Sequence, residues 1–194
     1  MSTKSILCGH DLGTSKEGLR EEAKRWLAGI LQRKPSLKIG IYGSYYPQSE
    51  PKRLESLRES LKEEGYSQTY LVKDLLDLPE FKDDFDKSIF SIIRSNVNLF
   101  VLTFKGQKQG AIRELDYALK NPEYVFKCVA FIESSPKGKA YRRCLTSLLE
   151  ADLRAVGMRV AEFDIGNDIE LLDLVRGTLL DFLHYYVRNR PQDL

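Results

Sequence analysis

Long apolar runs, cysteine and histidine are all scarce in this chain. Its 194 residues include three cysteines and two histidines, and no apolar run reaches the ~18 residues that a membrane-spanning helix needs. Cys8, Cys128 and Cys144 lack any Cys-x-x-Cys spacing, so a clustered zinc site is not expected. The first residues also lack the apolar core of a signal peptide. We therefore expect a cytoplasmic protein that needs no metal or other cofactor and does not associate with a membrane.

A strong excess of one charge is missing as well. Lys and Arg number 30, Asp and Glu number 28, and the formal net charge is +2. The two signs are mixed along the chain, whereas nucleic-acid-binding proteins usually gather basic residues into a patch. Composition therefore makes no strong case for a nucleic-acid partner. The length and the 42% hydrophobic content suffice for one domain with a substantial core.

From Leu37 onward, apolar strand-like segments alternate with amphipathic helix-like segments. Parallel strands need crossover connections, so this alternation predicts an α/β fold. We expect a flavodoxin-like, five-stranded parallel sheet in the order 2-1-3-4-5, with helices on both faces. The predicted strands are 37–42, 69–72, 98–104, 125–132 and 159–163, with 98–104 central.

A different pattern precedes the first strand. Thr14 to Glu17 has the spacing of a capping box, and apolar residues follow at helical spacing as far as Arg33. We therefore divide the chain into an N-terminal arm with an amphipathic helix at 1–36 and an α/β domain at 37–190. The helix is expected to pack on the domain, and a homodimer formed through it is the alternative.

Ligands of open parallel sheets bind at the carboxyl ends of the strands, where the strand order reverses between strands 1 and 3. The first predicted strand ends at Tyr42, and Gly43, Ser44 and Tyr45 follow it. The glycine allows close backbone approach, while the hydroxyl groups and the aromatic ring supply ligand contacts. Tyr42 and this loop are predicted to bind substrate, although an ordinary turn would have the same composition.

The loop after the third strand ends at Gly110 and leads into a helix that carries Glu114 early in its course. The small side chains of Ala111 and Ala118 lie on nearby positions of the helical wheel and leave room for a ligand. The alternative is a solvated glutamate, which the positive end of a helix also favours.

Two of these segments resemble the nucleoside 2-deoxyribosyltransferase-like family, which includes the 2′-deoxynucleoside 5′-phosphate N-hydrolases. They are Gly43-Ser44 after the first strand and the segment from Gly110 to Ala118 after the third. The resemblance covers roughly residues 37 to 163. It implies that Glu114 is the catalytic nucleophile of N-glycosidic bond cleavage or deoxyribosyl transfer, acting on a nucleoside or nucleotide.

The same resemblance implies further substrate contacts. Phosphate-binding members use a serine after strand 4, where this chain has Ser134 and Ser135 followed by Lys137. Members usually carry an aspartate in the helix before strand 3, where this chain has Phe90 or Ser91, with Asp86 one turn earlier. Asp86 and Ser91 are therefore predicted to contact the substrate. This chain departs from the family at two further positions. Asn98 stands where members usually have an aspartate at the strand entry, and Asp116 replaces the glycine that follows Glu-Leu.

Two other functions stay open. The segment 41–46 and Glu114 are also similar to TIR domains, some of which cleave NAD, although no BB-loop motif is found between Asp74 and Asp84. A non-catalytic nucleotide-sensing or interaction module is the other alternative, because the family's helix aspartate is absent. A second carboxylate from the Asp83–Asp86 segment beside Glu114 would favour an enzyme.

Overall fold

The computed structural model of the chain describes residues 16–75, 79–106, 109–135 and 147–189. Its strands are β1 (Ile39–Gly43), β2 (Thr69–Leu71), β3 (Val97–Leu102), β4 (Cys128–Ser134) and β5 (Arg159–Asp164). The α-helices are α1 (Lys16–Arg33), α2 (Ser49–Glu63), α3 (Asp84–Arg94), α4 (Gln109–Lys120), α5 (Pro122–Val125), α6 (Ser147–Ala155) and α7 (Asp168–Asn189). Short 3-10 helices lie at Lys34–Ser36 and Val72–Asp74.

The sheet confirms the predicted fold class. Its five strands run in the order β2-β1-β3-β4-β5, and every neighbouring pair is parallel. β3 lies at the centre and is buried along its whole length. In the register of β1 and β3, Tyr42 lies opposite Phe100 and Gly43 opposite Val101. The carboxyl ends of these two strands therefore meet at one edge of the sheet.

Side chains alternate between two apolar layers, as the twofold repeat of a strand requires. Ile39 and Ile41 of β1 belong to the layer that α2 and α7 cover. Tyr42 and Phe100 belong to the opposite layer, under α3, α4 and α6. The rings of Tyr42 and Phe100 stack with centroids 4.7 Å apart. Helices thus cover both faces, and α3 and α4 lie together on the same one.

The amphipathic N-terminal helix is present as α1, which contacts α7. Its capping-box residue Thr14 lies outside the described residues. Of the α1 side chains only Ile30 is buried, and the ring of Trp26 lies 5.6 Å from that of His184. The helix therefore packs on the domain through a narrow contact.

The strand boundaries differ from the sequence-based ones by up to three residues, and the largest difference lies at the start of β4. Pro122–Val125 forms α5, and β4 begins only at Cys128, because Pro122 at the first helical position favours a helical turn there. Helix α6 is described from Ser147, and the predicted start of that helix near Tyr141 lies outside the described residues. No helix in the described ranges is long and apolar enough to cross a membrane.

Candidate functional site

A cavity of about 400 Å³ opens beyond the carboxyl end of β1, between the 3-10 helix Val72–Asp74 and the first turns of α3 and α4. This position is the reversal point between β1 and β3 where open parallel sheets bind ligands. The described residues that line it come from four segments of the chain: Gly43, Tyr45, Val72, Lys73, Asp84, Phe85, Ser88, Gly110, Ala111, Arg113 and Glu114.

Glu114 reaches the cavity because of its place on α4. Ala111, Leu115 and Ala118 point into the apolar layer and are buried. Glu114 lies next to them on the helical wheel, at the border of that layer. Burial raises the pKa of Glu114 to about 7, and the hydrogen bond from Ser88 opposes that rise. A carboxyl group with this pKa can be ionised or protonated near neutral pH.

Ser88 contacts Glu114 from the neighbouring helix α3. Its Oγ lies within hydrogen-bond distance of Glu114 Oε1 and 3.0 Å from the carbonyl oxygen of Asp84. A hydroxyl group has one proton to donate. Ser88 can therefore donate to an ionised Glu114, or accept from a protonated Glu114 while donating to the Asp84 carbonyl.

Aromatic rings and cations form another part of the wall. The guanidinium carbon of Arg113 lies 3.9 Å from the centre of the Phe85 ring, a favourable cation–π arrangement. Tyr45 also lines the cavity and is 43% exposed. Partial burial raises the pKa of its hydroxyl to about 12, and a hydrogen bond to the Lys73 backbone opposes that rise. The cavity thus combines aromatic rings with charged side chains of both signs, features that suit a planar, polar ligand.

A second carboxylate lies at the rim. Asp84 occupies the first turn of α3, lines the cavity and forms an ion pair of 3.1 Å with Lys87. Its neighbour Asp83 is the N-cap of α3 and accepts from the Asp86 backbone N–H. Asp86, the predicted contact, instead accepts from the Lys82 backbone N–H at 3.0 Å and is not among the described lining residues.

Tyr42 and Ser91 lie behind the cavity. The Tyr42 hydroxyl is buried, 2.5 Å from Ser91 Oγ and 3.1 Å from Asn98 Oδ1. Burial holds the pKa of Tyr42 well above its usual value, so the phenol stays neutral. The two residues support the floor of the site, and neither is among the described residues that line it.

The structure does not bring the predicted serines to the cavity. Ser44 is buried, and its Oγ bonds to the backbone carbonyl of Tyr46 at 2.5 Å and accepts from the Tyr46 N–H at 3.1 Å. Ser134 donates to the Phe163 carbonyl at 3.4 Å. Ser135 follows β4 and is half-buried away from the described lining residues. Lys137 lies outside the described residues.

Five described lining residues were not among the predicted site residues: Val72, Lys73, Phe85, Ser88 and Arg113. Asp84 lies in the Asp83–Asp86 segment from which the sequence offered a second carboxylate. A signal for Ser88 existed, since Ser88, Ser91 and Ser95 recur at helical spacing and all three are buried. Polar residues on the buried stripe of a helix often face a neighbouring polar group. The sequence alone does not reveal that Glu114 is that neighbour.

Comparison with known proteins adds no relative to this picture. No protein-family model matches the chain, and no curated protein matches it significantly. The resemblance to the nucleoside 2-deoxyribosyltransferase-like family stays a prediction that depends on the residues quoted above. Among the described residues, no group of three His, Cys, Asp or Glu side chains is placed to hold a metal ion.

Proposed function

We propose that this chain cleaves the N-glycosidic bond of a nucleoside or nucleotide, or transfers the deoxyribosyl group, with Glu114 as the nucleophile. The observation that carries the proposal is the position of Glu114 in a cavity of about 400 Å³ at the β1–β3 end of the sheet. Its hydrogen bond from Ser88 fixes one carboxylate oxygen, and a fixed carboxylate is what displacement at an anomeric carbon requires.

The reaction would proceed in two displacements. One carboxylate oxygen of ionised Glu114 bonds to the anomeric carbon while the bond to the base nitrogen breaks, and the base leaves with the bonding electrons and takes up a proton. Water, or a second base in a transfer reaction, then displaces Glu114 from the glycosyl ester. Positive charge develops on the sugar in both transition states. Asp84 brings a second carboxylate to the same cavity.

Recognition would depend on the wall of the cavity. Tyr45 and Phe85 offer ring faces on which a base can stack. Lys73 and Arg113 lie in the same space as the carboxyl groups of Asp84 and Glu114, and Lys73 pairs with Glu55. The charges of the lining therefore do not favour a nucleotide over a nucleoside. We propose a cytoplasmic setting for this reaction on the composition of the chain.

A non-catalytic nucleotide-sensing module is the second candidate, and one observation favours it. The pKa of Glu114 is raised to about 7 by burial, so a large part of the chains would hold a protonated Glu114 at neutral pH. A protonated carboxyl group can donate a hydrogen bond to a base or a ribose, but it is a poor nucleophile.

Base release separates these candidates. Purified chain is incubated with a panel of 2′-deoxynucleotides, ribonucleotides and NAD, and the free base is measured by chromatography. Glu114→Gln keeps the shape of the side chain and removes the nucleophile, so we expect base release to fall at least a hundredfold. Asp116→Asn is the control, since Asp116 is exposed on the same helix and pairs with Lys120 at 2.6 Å.

Each outcome of the base-release assay supports one candidate function. Release from deoxynucleotides that depends on Glu114 supports the hydrolase or transferase, and release from NAD alone supports a TIR-like NAD hydrolase. Binding without release, detected by calorimetry, supports the sensing module. Equal release by wild type and Glu114→Gln would rule Glu114 out as the nucleophile.

The homodimer considered for the N-terminal helix stays a prediction. The feature that supports it is the apolar side chains that α1 leaves exposed: Leu19 is 52% exposed, Leu27 51% and Leu31 56%. Self-association would cover them. Light scattering on wild type and Leu27→Glu tests this, and equal monomer masses for both would exclude the dimer.

A further inference from the structure

A group of buried charges lies beside the cavity, on the other face of the sheet. Glu50 of α2 and Glu133 at the end of β4 are each 3% exposed. Arg53, which is half-buried, lies between them, with Nη1 3.3 Å from Glu133 Oε1 and 3.6 Å from Glu50 Oε2. Its Nε also pairs with the exposed carboxylate of Asp168 at 2.7 Å. Thr103 Oγ1 donates to Glu50 Oε2 at 2.5 Å. We call these four residues, Glu50, Arg53, Thr103 and Glu133, the buried ion cluster.

The cluster holds the backbone of two loops. Glu133 accepts from the Phe104 N–H at 2.8 Å and from the Gly166 N–H at 3.1 Å. Thr103 Oγ1 accepts from the Gly106 N–H at 3.1 Å. The chain that leaves β3 and the chain that leaves β5 are therefore tied to the same cluster, and the first of them precedes α4 in the sequence.

The cluster also reaches the loop that carries Tyr45. Gly106 packs against Ser44 so closely that a Cβ at position 106 would lie 2.6 Å from Ser44 Cβ. Ser44 in turn holds the Tyr46 backbone through both hydrogen bonds of its Oγ. Tyr45 lies between Ser44 and Tyr46 in the chain and lines the cavity. Tyr45 is thus flanked by backbone that the cluster holds through Gly106 and Ser44, and α4 follows the same loop along the chain.

Stability alone does not explain such a cluster. Burying the carboxylates of Glu50 and Glu133 carries a desolvation cost, and the guanidinium that faces them is also shared with Asp168. Apolar side chains of similar volume often give equal or greater stability. Hydrogen bonds to named backbone groups supply something that apolar packing does not, which is a defined path for the loop. The arrangement is what a site needs when it must be held rigidly.

We propose that the buried ion cluster positions Tyr45 and the start of α4 at the cavity, with Thr103 and Glu133 as the positioning residues that act through Gly106 and Phe104. The inference rests on the proposed function for its kinetic readout, because positioning matters only if the cavity holds a ligand. It assigns a role to residues that do not touch the ligand themselves.

The test compares Thr103→Val, Thr103→Ser and Glu133→Gln with one matched control. Valine keeps the shape of threonine and removes the hydroxyl group, whereas serine restores it. Glu150→Gln is the control, since Glu150 is a buried carboxylate that accepts from Arg154 at 3.0 Å within α6, apart from the described residues of the cavity. The readouts are urea unfolding, the amide NMR signals of Tyr45 and Gly110, and kcat/KM for base release from the deoxynucleotide panel.

We expect Thr103→Val and Glu133→Gln to shift both amide signals and to lower kcat/KM at least tenfold, mainly through kcat, with Thr103→Ser within about twofold of wild type. Glu150→Gln should lower stability and leave the signals and kcat/KM unchanged. The proposal is overturned if Thr103→Val and Glu133→Gln lower stability but leave both amide signals in place, or if Glu150→Gln moves them equally.

The two proposals fail in different ways. If the wild type releases no base from any nucleotide, the proposed function fails and the apo NMR signals alone decide the role of the cluster. If Thr103→Val does not fold, the amide signals and kcat/KM of Glu133→Gln and Thr103→Ser decide the question instead.

Discussion

Ser88 in α3 donates a hydrogen bond to the Glu114 carboxylate in α4. The contact joins the two helices whose first turns form the cavity, and it stabilises the ionised form of a carboxyl group that burial drives toward the protonated form. The charge of Glu114 at neutral pH, and hence its capacity as a nucleophile, depends on the balance of these two effects.

Ser88→Ala should therefore raise the pKa of Glu114 above about 7, because the interaction that lowers it is removed. The pH at which base release reaches half of its maximum should rise with it. ¹³C NMR titration of the Glu114 carboxyl carbon measures the shift directly. Ser91→Ala is the control, since Ser91 bonds to Tyr42. An unchanged titration midpoint in Ser88→Ala would show that this hydrogen bond does not tune Glu114.

Glu114→Gln should stabilise the fold in mildly alkaline solution. In the unfolded chain the glutamate loses its proton near pH 4.5, whereas in the folded chain it keeps it up to about pH 7. Between these values the folded state binds more protons, so wild-type stability falls as the pH rises. The Glu114→Gln variant avoids this loss of stability, on the order of 3 kcal/mol at about pH 8, and its advantage vanishes below about pH 4.

Urea unfolding of both proteins at the two pH values measures the difference. A variant that is less stable than wild type at both would contradict the raised pKa.

Gly106→Ala should destabilise the fold by roughly 1–3 kcal/mol, because the added methyl group would overlap Ser44 and Thr103. Gly177→Ala is the matched control. A Cβ there meets nothing within 4 Å, and alanine in a helix interior is favoured over glycine by about 0.5–1 kcal/mol. Thermal unfolding should thus move in opposite directions for the two variants. A Gly106→Ala variant as stable as wild type would mean that the loop accommodates the methyl group.

Lys127→Met should cost roughly 1–3 kcal/mol. Lys127 Nζ donates to the carbonyls of Ile93 at 2.8 Å and Ser95 at 3.0 Å, at the carboxyl end of α3. Burial lowers the pKa of this lysine, and methionine would leave both carbonyl groups without this hydrogen-bond donor. Lys120→Met, which removes an exposed pair with Asp116, should stay within about 0.5 kcal/mol of wild type. Equal losses of unfolding free energy in Lys127→Met and Lys120→Met would show that the buried hydrogen bonds of Lys127 add no stability.

The sheet could be predicted from sequence because its signal is local. Segments such as 98–104 are nearly all apolar, which is typical of a strand covered on both faces. The position of the cavity follows from the topology alone. Gly43, Tyr45, Gly110 and Glu114, all placed there by the sequence, do line it.

The remaining side chains of the site could not be predicted, because their direction depends on helix register and on other parts of the chain. Asp84 faces the cavity and Asp86 does not, since Asp83 caps α3 and sets its register. Ser88 and Ser91 are three residues apart on α3, yet Ser88 bonds to Glu114 and Ser91 bonds to Tyr42. Ser44 was expected to contact a ligand but closes a turn with Tyr46. Each outcome is decided by a partner distant in sequence or by local backbone geometry.

The central claim is that Glu114 forms a covalent bond to the sugar. A 2′-fluoro-arabino nucleotide tests it most directly, because the electron-withdrawing fluorine slows hydrolysis of the glycosyl ester. After incubation, mass spectrometry of the proteolysed chain should show the fluorosugar phosphate added to the peptide that contains Glu114, with one base released per chain, and Glu114→Gln should show neither. Base release from this nucleotide with no mass gain at Glu114, or with the sugar on another residue, would contradict the account.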